Sequence, residues 1–176
     1  LESEILPCSG KVVIWTIFIQ NAKQLQAYLL KFNIKSRLLI GEVVQEEREE
    51  TIKKFNNPEN MEFPIVIANP FAVAESISLH KGCHNAIYLE RDYNCASFLQ
   101  SKDRIHRVGL DENQVTRYYY LISAGTVDEI ISTCLDEKTK RMERIIDDEI
   151  PLFQLIDDQD ETDILKLLLR KYARKS

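Results

Sequence analysis

Five short apolar runs separated by helical stretches constrain this chain more than anything else in it. The first, Lys11–Phe18 (KVVIWTIF), packs β-branched and aromatic residues together without polar alternation. A half-exposed strand alternates in polarity, whereas a strand covered on both faces does not, and such strands belong to parallel sheets. Ile34–Ile40, Phe63–Ala68, Asn85–Leu89 and Val115–Ile122 read as four more strands. Between them, Leu25, Tyr28, Leu29 and Phe32 recur at helical spacing within Asn21–Phe32. Arg48, Ile52 and Phe55 do so within Gln45–Phe55, which Asn56-Asn57-Pro58 stops. A loop with a short helix is expected from Asn69-Pro70 to about His80.

Strands alternating with helices at this spacing predict an α/β domain with a mostly parallel sheet and right-handed crossovers. Ligands of such sheets bind beyond the carboxyl ends of the strands, so residues 18–20, 41–44, 69–78 and 90–94 form the expected functional edge. Past the fifth strand, Gly125-Thr126 starts a helix, with Thr126 as N-cap and Glu129 completing a capping box. Lys138–Glu149 reads as a second, charged helix with a solvated face. The expected organisation is a lead-in over 1–10, a domain over 11–150, and a tail over 151–176. That tail combines the acidic run Asp157–Glu161 with a last amphipathic helix, Asp163–Arg174.

Composition bounds function loosely. The 176 residues, 44% hydrophobic and 29% charged, suit one folded domain. A net charge of −5 argues against a surface that is basic throughout, but leaves room for a local basic site. No apolar run approaches the ~20 residues that span a bilayer, and no signal-peptide pattern opens the sequence, so no membrane partner is expected. The four cysteines are widely spaced, as suits reduced thiols. His80, Cys83 and His84 lack a second ligand pair at zinc-like spacing, so no metal site is expected there.

The candidate chemistry lies in Asp92–Gly109 (DYNCASFLQSKDRIHRVG). Asn94 suits an N-cap and Gly109 a C′ position, so the stretch reads as one helix. On it Gln100, Arg104 and Arg107, at i, i+4 and i+7, share a face. Neighbouring guanidiniums repel, and their forks suit phosphate oxygens, so a polyanion between them explains the pair. A solvated face with scattered charge is the alternative. His106 points elsewhere by the same spacing and reads as a packing or coupling residue. No G-x(4)-G-K-[ST] loop occurs in the sequence, so the chain has no phosphate loop of its own.

Several blocks together resemble the second RecA-like lobe of superfamily-two helicases, most closely the Swi/Snf-type ATPases. KVVIWTIF resembles the motif IV strand. Gly41, Arg48, Ile52 and Phe55-Asn56 resemble G-x-T-x(4)-R-x(3)-I-x(2)-F-N. Ile65–Leu79 stands at motif V, with Asn69, Val73, Ala74, Ser76 and Ser78 where the family has its T/S-x(2)-G-G-x-G-x-N-L residues. DYNCASFLQSKDRIHRVG resembles D-W-N-P followed by Q-x(3)-R-x-H-R-x-G, and Tyr118–Glu129 the strand and helix start beyond it. Cys95 and Leu110 depart from the usual Pro and Gln.

The resemblance implies a P-loop-NTPase-like three-layer α/β fold without its own phosphate loop, acting as one lobe of an ATP-dependent DNA helicase or translocase. An N-terminal RecA-like lobe outside this sequence would bind most of ATP and Mg2+. Arg104 and Arg107 would serve as arginine fingers, Gln100 would position groups beside them, and Asp92 would join them in nucleotide binding. Gln20, Asn69, Ser76, Ser78 and Lys81 would contact the backbone of double-stranded DNA. The protein would be intracellular, cytoplasmic in a bacterium or nuclear in a eukaryote, and the isolated chain inactive. A non-enzymatic nucleic-acid-binding or scaffold module built on such a lobe is the alternative. An unrelated parallel α/β enzyme would want a glycine-rich loop after the first strand, and Thr16–Gln20 has none.

Overall fold

The structure, a computed structural model, describes residues 10–72, 77–106 and 115–147, the side chains of 142–147 excepted. These residues fall into two compact units, one within Leu1–Asp92 and Ala96–Leu121, the other within Tyr93–Cys95 and Ile122–Ser176.

The first unit is built on five parallel strands: β1 Lys11–Trp15, β2 Ser36–Leu39, β3 Ile65–Ala68, β4 Cys83–Tyr88 and β5 Arg117–Tyr120, in the order β2-β3-β1-β4-β5. The helices are α1 (Ile19–Lys31), α2 (Gln45–Asn56) and α3 (Cys95–Asp103). Every residue of β1 and β3 is buried, as non-alternating apolar runs require. Alternate side chains serve opposite faces. Val12, Ile14, Ile65, Ile67 and Ile87 pack against Ala22, Leu25 and Leu29 of α1. Val13, Trp15, Val66, Ala86 and Tyr88 pack with Phe55 of α2, Phe98 of α3 and Ile105. The sheet is thus sandwiched between helices.

Helix ends are set locally. Asn33, at φ 58, closes α1 in a Schellman turn: its N–H bonds Leu30 O, and Ile34 N–H bonds Leu29 O, each at 3.0 Å. In α2, Glu46 and Glu47 open the helix while Lys53 and Lys54 close it, matching the helix dipole.

In the second unit, α4 runs unbroken over Val127–Asp147. The second charged helix expected from Lys138 is therefore the same helix. The change in charge there breaks nothing, because no glycine or proline interrupts the stretch. Its start follows the capping pattern with one shift. Thr126 Oγ1 accepts from Asp128 N at 3.2 Å, while the Glu129 carboxylate reaches Gly125 N at 3.0 Å, one residue before the cap.

Other boundaries also move. α3 stops at Asp103, six residues short of Gly109, although His106 N–H still bonds Lys102 O four residues back at 3.0 Å. The turn sends Ile105 into the core at 0% exposure, and Leu79 N–H caps Arg104 O at 2.7 Å. The short helix expected near His80 is absent among the described residues, where 77–79 are irregular and 80–82 form a turn. Of the lead-in expected over 1–10, residues 1–9 lie outside the described residues, as does the whole tail over 151–176.

Candidate functional site

The sheet has two rims, and the sequence-predicted residues divide between them. At the carboxyl rim, β1 is followed by Thr16-Ile17 and β4 by Leu89-Glu90. The Glu90 carboxylate bridges them: Oε2 accepts from Thr16 Oγ1 at 2.6 Å and from Ile17 N at 3.1 Å, and Oε1 from Asn21 Nδ2 at 2.7 Å. From β3, Asn69 Nδ2 donates to Ile17 O at 2.6 Å, while its Oδ1 takes the Phe71 and Ala72 N–H groups. Both ends of this amide are used internally, and Asn69 is only 6% exposed, so it caps its own loop. Arg48 joins the neighbouring loops, donating to Ile40 O at 2.9 Å, Gly41 O at 3.1 Å and Ala72 O at 3.4 Å. Gln20 is exposed in the first turn of α1, and Asp92 is half-buried just after β4.

The amino rim holds the other group. Lys11, 3% exposed, drives its ammonium into the end of α2, donating to Lys54 O, Phe55 O and Asn57 O at 3.3, 2.7 and 2.5 Å. A cation at a helix C-terminus satisfies carbonyls that have no intrahelical donor. Burial lowers the Lys11 pKa from its ordinary value. This lysine is therefore a helix cap, not a phosphate-loop lysine. Beside it, Asn56 Nδ2 donates to Ser78 O at 2.6 Å, and Ser78 Oγ bonds His80 Nδ1. Lys81 is exposed in the turn that follows.

Leu79 O receives Cys83 N, the first residue of β4, and Leu79 N reaches Arg104 O. The turn carrying Arg104 therefore stands at the amino rim. The candidate stretch thus begins at the carboxyl rim but carries Arg104 to the amino one. α3 leaves the carboxyl rim beside Asp92 and delivers Arg104 to the opposite one, as a right-handed crossover must. Ser78 and Lys81 change rim for the same reason: the chain has already crossed back to start β4. Gln100 is exposed and Arg104 half-buried one turn later, so this pair keeps the spacing read from the sequence. Arg107 and Ser76 lie outside the described residues.

Among the described residues no group of three His, Cys, Asp or Glu could hold a metal. Cys83 is buried, with its thiol against Lys11 O and Asn85 O, and burial pushes its pKa up to about 12. A thiol so firmly protonated is a poor ligand or nucleophile. Nor is any helix among these residues long and apolar enough to cross a membrane.

Glu90 and Lys11 were missed as organising residues by the sequence reading. Glu90 carried a usable signal, a carboxylate directly after a buried strand in a loop already marked as functional. Lys11 opens the first apolar run, and nothing local announces that its partners stand more than forty residues away.

The comparisons agree on kinship. Residues 4–109 match the model of the helicase conserved C-terminal domain. The human SWI/SNF-related matrix-associated actin-dependent regulator of chromatin subfamily A member 1 is 27% identical, over 90% of this chain and 16% of its own length. YwqA of Bacillus subtilis, which carries the name of an ATP-dependent helicase/translocase, is 28% identical over 78% of this chain and 14% of its own. The crystal structure of the C-terminal part of the Fun30 ATPase domain superposes with a TM-score of 0.65 at 27% identity, covering 74% of this chain and 41% of that one. The chain thus spans about a sixth or less of the curated relatives named here. With the five-stranded RecA-like sheet and the motif order in place, the chain belongs to the helicase conserved C-terminal domain family, as a C-terminal lobe of the Snf2-related superfamily-two kind.

Proposed function

We propose that this chain is the C-terminal lobe of an ATP-driven DNA translocase or helicase, completing a nucleotide site that an N-terminal RecA-like lobe mainly builds. The observation that carries the reading is the family match across residues 4–109 together with exposed Gln100 and half-buried Arg104 one turn apart at the amino rim. The other lobe would then oppose that rim. Arg104, joined by Arg107, would neutralise charge developing on the transferred phosphoryl group, and Gln100 would orient a phosphate or the attacking water; Asp92, at the other end of α3, stands a helix length from that group and this reading gives it no nucleotide contact.

The chain's donor set fits the phosphates through guanidinium forks. Among the described residues no three candidate metal ligands come together, and in this reading Mg2+ would be held mainly by the other lobe and the phosphates. ATP would favour closure of the two lobes and its hydrolysis would reopen them, moving this lobe along DNA.

DNA would be gripped through its backbone, with Gln20 at the carboxyl rim as the contact this reading retains. Ser78 and Asn69 are engaged internally, and Lys81 stands nearer the nucleotide-facing rim. The site of action would be intracellular. The scaffold-module reading draws on Asn69, whose inward-turned side chain occupies a motif V position.

The test uses the full protein that carries this chain joined to its N-terminal lobe. DNA-stimulated ATP hydrolysis should fall by about 10³-fold or more in Arg104→Ala and in Arg107→Ala. Normal turnover in both variants rules out the finger role. The isolated chain should hydrolyse no ATP.

A further inference from the structure

We propose that Glu90 is a positioning residue for nucleic-acid contact, its carboxylate holding the β1–α1 loop in the form that presents Gln20. The inference rests on the translocase reading above and assigns a job to a residue that reading does not use.

The chain leaves β1 toward β2 on one side and returns to β4 on the other, so the crevice beyond β1 and β4 is the topological switch point. Open α/β sheets take their ligands there, and the start of the following helix favours an anion. Here the chain supplies that anion itself. The two oxygens of Glu90 collect a hydroxyl, a backbone N–H and a side-chain amide from Thr16, Ile17 and Asn21. The default ligand crevice has thereby become a clamp.

The clamp holds the backbone of one residue from two sides, through the peptide groups before and after it. Ile17 N–H is held by Glu90 from β4, and Ile17 C=O by Asn69 from β3. The residues immediately after it face solvent: Phe18 is 59% exposed, Ile19 37%, and Gln20 is exposed. A backbone fixed on both flanks with its next side chains exposed is preorganised for contact, which lowers the ordering cost of binding. Without Glu90 the loop samples other conformations, and apparent affinity falls by the fraction still competent.

The experiment measures DNA-stimulated ATP hydrolysis by the full protein against a titration of a short DNA duplex. Glu90→Ala should raise the half-saturating duplex concentration by about tenfold while kcat at saturating duplex stays within about twofold. Glu90→Gln should fall between, because its amide keeps the shape but sets an N–H against Ile17 N–H. Gln20→Ala should weaken binding comparably, and the double variant should add little to either single one. Additive effects, or a Glu90→Ala enzyme that loses kcat and thermal stability without a change in half-saturation, overturn the proposal in favour of a merely structural role. A wild-type protein with no DNA stimulation removes the translocase reading and this inference with it. Normal stimulation with an unaltered Glu90→Ala titration removes this inference alone.

Discussion

Gly82→Ala offers the sharpest test of how the amino rim is built. A Cβ at Gly82 would stand 2.0 Å from Phe55 O, 2.9 Å from Phe55 C and 3.0 Å from Asn56 Cα. All three are backbone atoms at the end of α2, so no side chain can swing aside. The nearest gap must open from 2.0 Å to the 3.4 Å at which ordinary contact begins. Forcing extra volume into a packed site costs about 1–3 kcal/mol. Here the atom displaced is also the one Lys11 Nζ bonds at 2.7 Å. Losing a hydrogen bond to a charged group adds about 1.5–3 kcal/mol. Against this, Ala in place of Gly stiffens the unfolded chain and returns about 0.4–1 kcal/mol.

The net loss is at least about 1.5 kcal/mol, a large share of a typical domain's stability. For a chain of this size it lowers Tm by roughly 3–6 °C or more. Thermal and urea unfolding can be followed by circular dichroism and by emission of Trp15, the one tryptophan in the chain, which is fully buried. Gly41→Ala is the control, since a Cβ there meets nothing within 4 Å. It should stay within about 0.5 kcal/mol of wild type. A Gly82→Ala protein with wild-type Tm, or one no worse than Gly41→Ala, refutes the claim that the turn before β4 is pressed against α2.

Two further expectations concern alkaline pH and the cap of α4. Burial pushes Cys83 and Tyr118 up to about 12 from ordinary values of 9.0 and 10.0, and it raises Tyr88 as well. The folded state therefore holds these protons more tightly than the unfolded state. Their contribution is complete below pH 9.0 and is lost as pH rises toward 12, so urea midpoints should fall steadily across that window. Lys11, lowered from 10.5, acts in the opposite sense just below that value, and a midpoint that rises through the window would mean it dominates. Thr126→Ala removes the oxygen that caps Asp128 N, and should cost about 1 kcal/mol in urea unfolding. No loss would mean that Glu129 and Asp128 hold the start of α4 by themselves.

What the sequence made legible was local. Apolar, β-branched and aromatic runs located all five strands; burial on both faces accounts for β1, β3 and most of β4, while the edge strands β2 and β5 are largely half-buried or exposed. The strand ends were less legible: Ile17 and Phe18 continue the apolar run of β1, yet the strand stops at Trp15 and Phe18 is 59% exposed. Apolarity does not distinguish a residue buried by the sheet from one presented at its rim. The caps were readable when the partners were close, as at Thr126 and Glu129. The Glu90 clamp spans 73 and 74 residues to Ile17 and Thr16, and the Lys11 cap spans 43 to 46 to its carbonyls. Such pairings follow from strand order, which periodicity does not encode. The rim occupied by Arg104 depends on where α3 ends, and that was set by Ile105 entering the core rather than by the glycine four residues beyond.

The fold joins the two rims mechanically through α3. This helix spans about 13 Å along β4, at ~1.5 Å per residue. Its inner face is fixed to the strand: the Tyr88 hydroxyl meets Ser101 Oγ at 2.8 Å, Ser101 in turn donates to Phe98 O at 2.6 Å, and the Tyr88 and Phe98 rings pack edge to face at 5.4 Å. At the carboxyl rim, Arg91 lies 4.6 Å from the Tyr120 ring centroid, which ties the start of this connection to β5. Elements packed this closely move as one body rather than bend. A displacement at Glu90 and Asp92 would therefore be transmitted toward Arg104 through α3 and β4. The two proposed contacts, DNA at one rim and nucleotide at the other, need no separate signalling route between them. They share one strand and one helix, so under the proposed function closure over nucleotide would displace the loop proposed to meet DNA.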